Sequence, residues 1–124
     1  MNFIDSNIIA YAFYANPFQE NCRNIIREGG LINTLILIEA FNIIELQTSR
    51  DIAQKAIKGL LKSQVQIIPV DLNMIFEALK RSSHHQHLKF LDLVHYTTTQ
   101  LHQCDAIFSY DRDFDGLDIQ RKER

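Results

Sequence analysis

The chain has 124 residues, of which 46% are hydrophobic, and this size and composition suit a single domain, residues 1–124, with a substantial core. Thirteen basic and fifteen acidic side chains leave a net charge of -2, so no overall positive field attracts nucleic acid. No apolar run approaches the roughly 18 residues of a membrane span, and no signal sequence is recognised. The two cysteines, Cys22 and Cys104, form no C-x-x-C pattern. We therefore expect a cytoplasmic protein with reduced, inert thiols and no membrane contact.

The first elements alternate between strand and helix. Apolar residues before Asp5 predict a short buried strand, and the pattern from Ile8 onward predicts a helix. Asn16-Pro17 is typical of the start of a second helix, which Gly29-Gly30 would end. A second strand is predicted over Leu31 to Thr34.

The middle of the chain predicts a helical hairpin. Apolar residues recur at helical spacing from Leu35 to Leu61, and Thr48 to Asp51 can cap the second of two helices. This hairpin has more apolar surface than one small sheet needs, so we expect part of it to face a second subunit or a partner protein. A third strand is predicted over Gln66 to Val70, with Pro69 favouring either an edge position or the end of the strand.

The second half continues the alternation. Asp71 can cap a helix whose predicted buried face comprises Leu72, Ile75, Phe76 and Leu79. A polar loop, Arg81 to Lys89, then precedes a helix over Phe90 to Gln103 and a fourth strand over Ala106 to Tyr110. The tail after Leu117 is expected to fray. Strands that alternate with helices predict an α/β fold with a mainly parallel sheet of four or five strands, covered on both faces.

Three acidic residues interrupt apolar stretches at comparable places. Asp5 follows the first strand, Glu39 lies about one turn into the helix after the second strand, and Asp92 begins the helix before the fourth. All three therefore reach the carboxyl edge of a parallel sheet, where such sheets bind ligands. Each also has an ordinary explanation: Asp5 as a helix cap, Glu39 as a surface residue and Asp92 as a favourable charge at a helix N-terminus.

A fourth group of acids leaves the last predicted strand. Asp111 and Asp113 lie in Ser109-Tyr110-Asp111-Arg112-Asp113-Phe114-Asp115. Carboxylates from four segments at one edge would repel one another and raise one another's pKa unless cations lay between them. Oxygen ligands favour Mg²⁺ or Mn²⁺ over zinc. Such ions can activate water and stabilise the leaving oxygen in phosphodiester cleavage, and they allow an acidic domain to hold a phosphate backbone.

These residues, in this order and spacing, resemble those of the PIN-domain nucleases, and within them the VapC-type ribonuclease toxins. The resemblance covers nearly the whole chain. It rests on Asp5-Ser6-Asn7, on Glu39, on Asp92 with His95, and on Cys104-Asp105-Ala106-Ile107 running into Ser109-Tyr110-Asp111-Arg112-Asp113-Phe114. No single motif is specific, but the set is. Ser109 stands where threonine is common, and Thr97, Thr98 and Thr99 stand where small alanines are more typical.

The resemblance implies a three-layer α/β/α fold and Mg²⁺- or Mn²⁺-dependent endoribonuclease activity. It also implies a homodimer and an antitoxin partner. By position, Asp5, Glu39 and Asp92 match the metal-binding, catalytic acids, and Asp111 matches the acid of the last motif, with Asp113 as a second candidate there. The residues that match supporting or substrate-binding positions are Ser6, Asn7 and Ser109.

Some polar residues remain open to more than one interpretation. His84, His85 and His87 could bind a metal, but a polar surface loop is the stronger reading because no fourth ligand is evident. His95 could orient a carboxylate or a substrate, or simply pack within its helix. Among the basic residues that could contact phosphate, Arg112 is favoured because it lies between two acids.

Two other functions compete with a ribonuclease. One is a PIN-like module that binds RNA or protein without turnover, which the full set of acids argues against. The other is a phosphatase with Asp5 as nucleophile. Such phosphatases need a second aspartate two residues on, where this chain has Asn7.

Overall fold

The computed structural model describes residues 1–124 as a five-stranded sheet with helices packed against it. Every strand pair is parallel, and the strand order is β3-β2-β1-β4-β5. The strands are β1 (Phe3–Ile4), β2 (Leu31–Asn33), β3 (Gln66–Ile68), β4 (Ala106–Phe108) and β5 (Gln120–Lys122). The predicted α/β class with a parallel central sheet is confirmed, and β3, which precedes Pro69, lies at an edge as expected.

Six α-helices connect these strands. They are α1 (Ser6–Tyr11), α2 (Gln19–Arg27), α3 (Thr34–Gln47), α4 (Arg50–Leu61), α5 (Leu72–Ser82) and α6 (Phe90–Leu101), and a 3-10 turn covers Arg112–Phe114. Side chains cap several of them as the sequence predicts: Ser49 accepts a hydrogen bond from the Ile52 amide, and Asp71 from the Met74 amide. None of these helices is both long and apolar enough to cross a membrane.

The core lies where the short strands meet the helices. Twenty buried residues form its main cluster, which joins β1, β2 and β4 to α1 through α4. A smaller cluster of Met74, Ala78 and Val94 holds α5 against α6. The central strands β2, β1 and β4 are thereby buried, and their carboxyl ends are fixed relative to one another.

The C-terminal tail is not frayed, and that prediction is wrong. Residues Gln120–Lys122 form β5, which pairs in parallel with β4, and the Ser109 amide donates to the Lys122 carbonyl at 2.9 Å. The Arg121 side chain donates to the Ser109 carbonyl at 3.0 Å. Strand pairing uses backbone groups, so an edge strand of charged side chains lacks the apolar alternation that would have revealed it.

The predicted buried face of α5 is also wrong, except at Ile75, which is half-buried and packs against the cluster of Met74, Ala78 and Val94. The helix buries Met74 and Ala78, whereas Leu72 is 86% exposed and Phe76 is 58% exposed, as is much of Leu79. The small Ala78 side chain lets α5 approach α6 closely, so packing selects this face over the more hydrophobic one. The helix therefore presents an unpartnered apolar surface to solvent.

Some predicted boundaries shift by a few residues. Helix α2 begins at Gln19 rather than at Pro17, and the Asn16 side chain instead accepts a hydrogen bond from the Phe18 amide in the preceding turn. Thr34 begins α3 rather than ending β2, and Arg81 belongs to α5 rather than to the following loop. None of these shifts moves a predicted acid to another edge of the sheet.

Gly30, which follows the end of α2, lies where no side chain fits. A Cβ at this position would lie 2.8 Å from the Asn2 carbonyl oxygen and 2.9 Å from the Ile4 side chain, and φ is +158°. The backbone at Asn2, immediately before β1, and the Ile4 side chain therefore both lie directly over Gly30. This close approach brings β2 beside β1 and so aligns the two carboxyl ends.

We predict that Gly30→Ala lowers the free energy of unfolding by about 1–3 kcal/mol, because the new methyl group meets backbone that cannot move aside. Gly59→Ala is the matched control, since Gly59 lies in α4 with open space around it and alanine favours a helix. Urea unfolding should show the first variant destabilised and the second unchanged or stabilised. Equal stability of Gly30→Ala and the wild type would contradict this description of the β1–β2 approach.

Candidate metal centre

Asp5 lies at the carboxyl end of the central strand and is 4% exposed. Its Oδ1 accepts a hydrogen bond from the Ser6 amide at 2.7 Å, so it does cap α1. Its Oδ2 accepts the Ser109 hydroxyl at 2.5 Å and, more weakly, the Asn7 side-chain amide at 3.4 Å. Capping and a place in the site are therefore compatible roles. The support predicted for Ser6, Asn7 and Ser109 corresponds to these contacts.

The electrostatic environment of Asp5 disfavours its charge. Burial raises its pKa, the neighbouring His95 and the hydrogen bonds from Ser109 and Ser6 oppose that shift, and the nearby Glu39 carboxylate adds to it. No lysine or arginine forms an ion pair with Asp5. An ionised Asp5 thus has no lysine or arginine partner in the chain.

Glu39 is turned into the protein from the second turn of α3. Its Oε1 lies 2.6 Å from Nε2 of His95, which is fully buried on α6. Asp5, Glu39 and His95 each offer a ligand atom within 4.8 Å of those of the other two. Glu39 is therefore not an ordinary surface glutamate.

Asp92 approaches the same edge from the first turn of α6. Burial raises the pKa of Asp92 to about 6, and the charges of Asp5 and Asp111 contribute to that shift. A favourable helix dipole alone would have lowered the pKa instead. Burial and the acidic neighbours together therefore outweigh the dipole, and Asp92 behaves as a member of an acidic cluster.

Asp111 and Asp113 complete the set. The Asp111 amide donates to the Ser109 hydroxyl oxygen at 2.9 Å, and its Oδ1 accepts from the Asp113 amide at 2.9 Å. Carboxylate oxygens of Asp92, Asp111 and Asp113 lie within 4.8 Å of one another. Asp111 is half-buried and Asp113 is exposed, yet both face Asp92.

The donor set fits a hard divalent cation. The two neighbouring clusters together present five carboxylates, and none of Asp5, Asp92, Asp111 or Asp113 is paired with a basic side chain. Oxygen-rich sites of this kind suit Mg²⁺ or Mn²⁺. The residues that could hold such an ion are Asp5, Glu39, Asp92, Asp111 and Asp113. Bound cations would relieve the repulsion that raises the pKa of Asp92.

Other candidates from the sequence lie outside this cluster. Arg112 is exposed and forms no ion pair, although it neighbours Asp111 in the chain. His84 and His87 are exposed, and the His85 ring packs edge-on against Tyr96 at 5.2 Å between centroids. These histidines do not join either acidic group.

Sequence reasoning missed two residues that support the site. Arg121 holds the Ser109 carbonyl, as described above, and its guanidinium also pairs with Asp115 and Glu123. Asn33, at the end of β2, is fully buried and contacts His95. The polar Asn33 at the end of the apolar strand in Leu31-Ile32-Asn33-Thr34-Leu35 could have indicated this role, whereas no local pattern indicated Arg121.

Comparisons with known proteins agree with this fold. The family model described as PIN domain matches residues 3–120, a span that includes all five acids. A search of curated protein sequences found no match.

Three solved structures share the fold. The toxin VapC20 of Mycobacterium tuberculosis, described as cleaving the sarcin-ricin loop, matches with a TM-score of 0.83 at 13% identity over 96% of each chain. A toxin-antitoxin complex from Klebsiella pneumoniae gives 0.72 at 16% identity over 95% of this chain and 93% of the other. VapBC2 from Rickettsia felis, bound to a promoter DNA fragment, matches with a TM-score of 0.74 at 14% identity. This match covers 98% of this chain and 96% of the other. At these identities the structural matches establish the shared fold.

The raised pKa of Asp92 predicts a pH-dependent stability. In the unfolded chain an aspartate titrates near 3.9, so between that pH and about 6 the folded protein binds more protons than the unfolded one. The free energy of unfolding should therefore fall as the pH rises through this window, and this loss of stability should be complete at pH 7. In EDTA at pH 7, Asp92→Asn should raise the melting temperature, by on the order of 3 °C, and flatten this part of the profile.

Asp51→Asn is the matched control, because Asp51 also lies in a first helical turn but is exposed and pairs with Lys55. This control should melt no higher than the wild type. If Asp92→Asn instead lowered the melting temperature as Asp51→Asn does, the helix-dipole explanation of Asp92 would be correct.

Proposed function

The chain belongs to the PIN-domain family, and from that premise we propose that it is a divalent-metal-dependent endoribonuclease that hydrolyses RNA phosphodiester bonds. The observation that carries the proposal is the convergence of Asp5, Glu39, Asp92 and Asp111 at one sheet edge without a basic partner for Asp5, Asp92 or Asp111. Bound cations would reduce the electrostatic repulsion among these carboxylates. We further propose that it acts in the cytoplasm.

We propose that Mg²⁺ or Mn²⁺ held by Asp5, Glu39, Asp92 and Asp111 supplies charge neutralisation at the phosphate and an activated water, with Asp113 as an additional ligand. The chain's own contribution is to fix these carboxylates. Asp5 cannot rotate freely because the Ser6 amide and the Ser109 hydroxyl hold both its oxygens. The exposed Arg112 guanidinium lies beside Asp111 in the chain and is free to contact a phosphate of the RNA.

In the proposed reaction the oxygen of a water attacks phosphorus and the bond to the 3′ oxygen breaks. The products are a 5′ phosphate and a 3′ hydroxyl, with one water consumed. No side chain needs to become a covalent intermediate. Asn7 donates to Asp5 at 3.4 Å and so occupies the place where an aspartate-based phosphatase would need a second acid.

We also propose a toxin role with two protein partners. The solved structures that share this fold include toxin-antitoxin complexes. In this chain the α3–α4 hairpin carries a shallow groove of about 270 Å³, and we assign it to an apolar segment of an antitoxin; its lining residues are Leu37, Ile38, Phe41, Asn42 and Ile57. We assign the exposed apolar face of α5, with Leu72, Phe76 and Leu79, to a homodimer contact.

The activity has a direct test. Asp5→Asn and Asp92→Asn should each reduce Mn²⁺-dependent cleavage of a mixed RNA substrate by at least about 100-fold. Each change removes a charged metal ligand, and a bound metal stabilises the transition state by several kcal/mol. Gel analysis of the RNA with Mn²⁺ and with EDTA measures the effect. Asp51→Asn, a remote and exposed acid, serves as the control and should cleave like the wild type.

Undiminished cleavage by both site variants would refute the assignment. A wild-type protein that bound RNA but cleaved none of several RNAs with Mn²⁺ would instead identify a PIN-like binding module without turnover.

The homodimer contact is tested by charge insertion. Phe76→Glu should convert a dimer into a monomer in sedimentation velocity runs, because a charged carboxylate would replace the aromatic ring in the apolar α5 contact. Leu46→Glu is the control, since Leu46 is 84% exposed on α3 and lies on the hairpin. If Leu46→Glu broke the dimer and Phe76→Glu did not, the hairpin would be the dimer contact and the assignment of the α5 face to it would be wrong.

A further inference from the structure

A chain of buried hydrogen bonds reaches Glu39 from behind the carboxylate cluster. The Ile36 amide donates to Asn33 Oδ1 at 3.1 Å, and Asn33 Nδ2 lies 3.0 Å from His95 Nδ1. His95 Nε2 in turn lies 2.6 Å from Glu39 Oε1. Asn33 and His95 are both fully buried. These bonds form a relay from Asn33 through His95 to Glu39.

The orientation of the Asn33 amide is determined by its neighbours. Its Oδ1 must accept the Ile36 amide, because this bond caps α3. Its Nδ2 must then face Thr98, whose hydroxyl lies 3.0 Å away and itself donates to the Val94 carbonyl at 2.9 Å. The same Nδ2 faces His95 Nδ1. The amide cannot be reversed without breaking the helix cap.

This orientation assigns the proton on His95. Asn33 Nδ2 is a donor, so His95 Nδ1 must accept and carries no hydrogen. The proton of the neutral imidazole therefore resides on Nε2, which donates to Glu39 Oε1. The Phe3 ring, with its centroid 5.7 Å from that of His95, packs against the imidazole. The proton is thus directed at Glu39 by groups outside the acidic cluster.

The same assignment bears on whether His95 could itself bind the cation. Its nitrogen lies within 4.8 Å of ligand atoms of Asp5 and Glu39, close enough for a shared metal. A metal on Nε2 would require that position to lose its proton and Nδ1 to gain one. Nδ1 would then point a hydrogen at the Asn33 amide donor. The Asn33 cap opposes that arrangement.

We propose that His95 is a positioning residue that directs the Glu39 carboxylate toward the cation, and that Asn33 sets its tautomer. The role rests on the metal-dependent function proposed above. By occupying Oε1, His95 leaves the other Glu39 oxygen for the metal and prevents the side chain from turning to solvent. Hydrogen bonds to ligating carboxylates of this kind typically change metal affinity by about 10–100-fold.

The tautomer can be measured without metal or RNA. Long-range ¹H–¹⁵N correlation spectra of the wild-type protein in EDTA should show His95 protonated at Nε2 and unprotonated at Nδ1. Asn33→Asp keeps an oxygen for the Ile36 amide but places an acceptor opposite Nδ1, so Nδ1 should then carry a proton. A wild-type spectrum with the proton on Nδ1 would overturn the relay whether or not the protein cleaves RNA.

The positioning role is tested by Mn²⁺ titration calorimetry. His95→Leu should weaken Mn²⁺ binding by about 10–100-fold, whereas His95→Gln, whose amide can donate to Glu39, should bind close to wild-type strength. His102→Gln is the control, because His102 is exposed at the end of α6. Circular dichroism melting of each variant ensures that folded proteins are compared.

Two outcomes separate the possible failures. If His95→Gln lost Mn²⁺ binding as completely as His95→Leu, or if nitrogen coupling to bound Mn²⁺ appeared in pulsed electron paramagnetic resonance and vanished in His95→Gln, His95 would be a metal ligand and the proposal would be wrong. Binding that follows the expected order in a protein without ribonuclease activity would uphold the positioning role and refute the proposed reaction instead.

Discussion

The repulsion among carboxylates at one edge of a parallel sheet is the constraint on which the rest of the structure depends. Asp5, Glu39, Asp92 and Asp111 come from four separate segments, and the pKa of Asp92 rises to about 6 under burial and the nearby charges. No lysine or arginine pairs with these acids to relieve the repulsion. A site that destabilises the folded chain in this way is expected where function requires it.

The surrounding structure holds these acids in place through neutral donors. The Ser109 hydroxyl and the Ser6 amide bind Asp5, and the buried His95 binds Glu39. Strand β5 holds Ser109 in turn, through the Lys122 carbonyl and the Arg121 guanidinium. Neutral donors fix the geometry without cancelling the negative charge, so the cluster remains able to attract a cation.

Much of this could be predicted from the sequence because the relevant signals are local. Asp5, Glu39 and Asp92 each interrupt an apolar stretch beside a predicted strand or helix, and the parallel topology then brings them to one edge. The two wrong predictions, for the C-terminal tail and for the buried face of α5, concern features that depend on contacts distant in the sequence. The pairing of β5 depends on backbone bonds to a distant strand, and the buried face of α5 depends on how closely Ala78 allows α6 to approach. Asn33 needed the neighbouring helix to reveal its role.

The most direct test of the central claim is where Mn²⁺ binds. In a crystal of the wild-type protein soaked with Mn²⁺, the anomalous difference map should show a peak between the carboxylates of Asp5, Glu39, Asp92 and Asp111. That result would identify the acidic edge as the metal centre. A map with no peak there, or with its main peak at His84 and His87, would contradict the account.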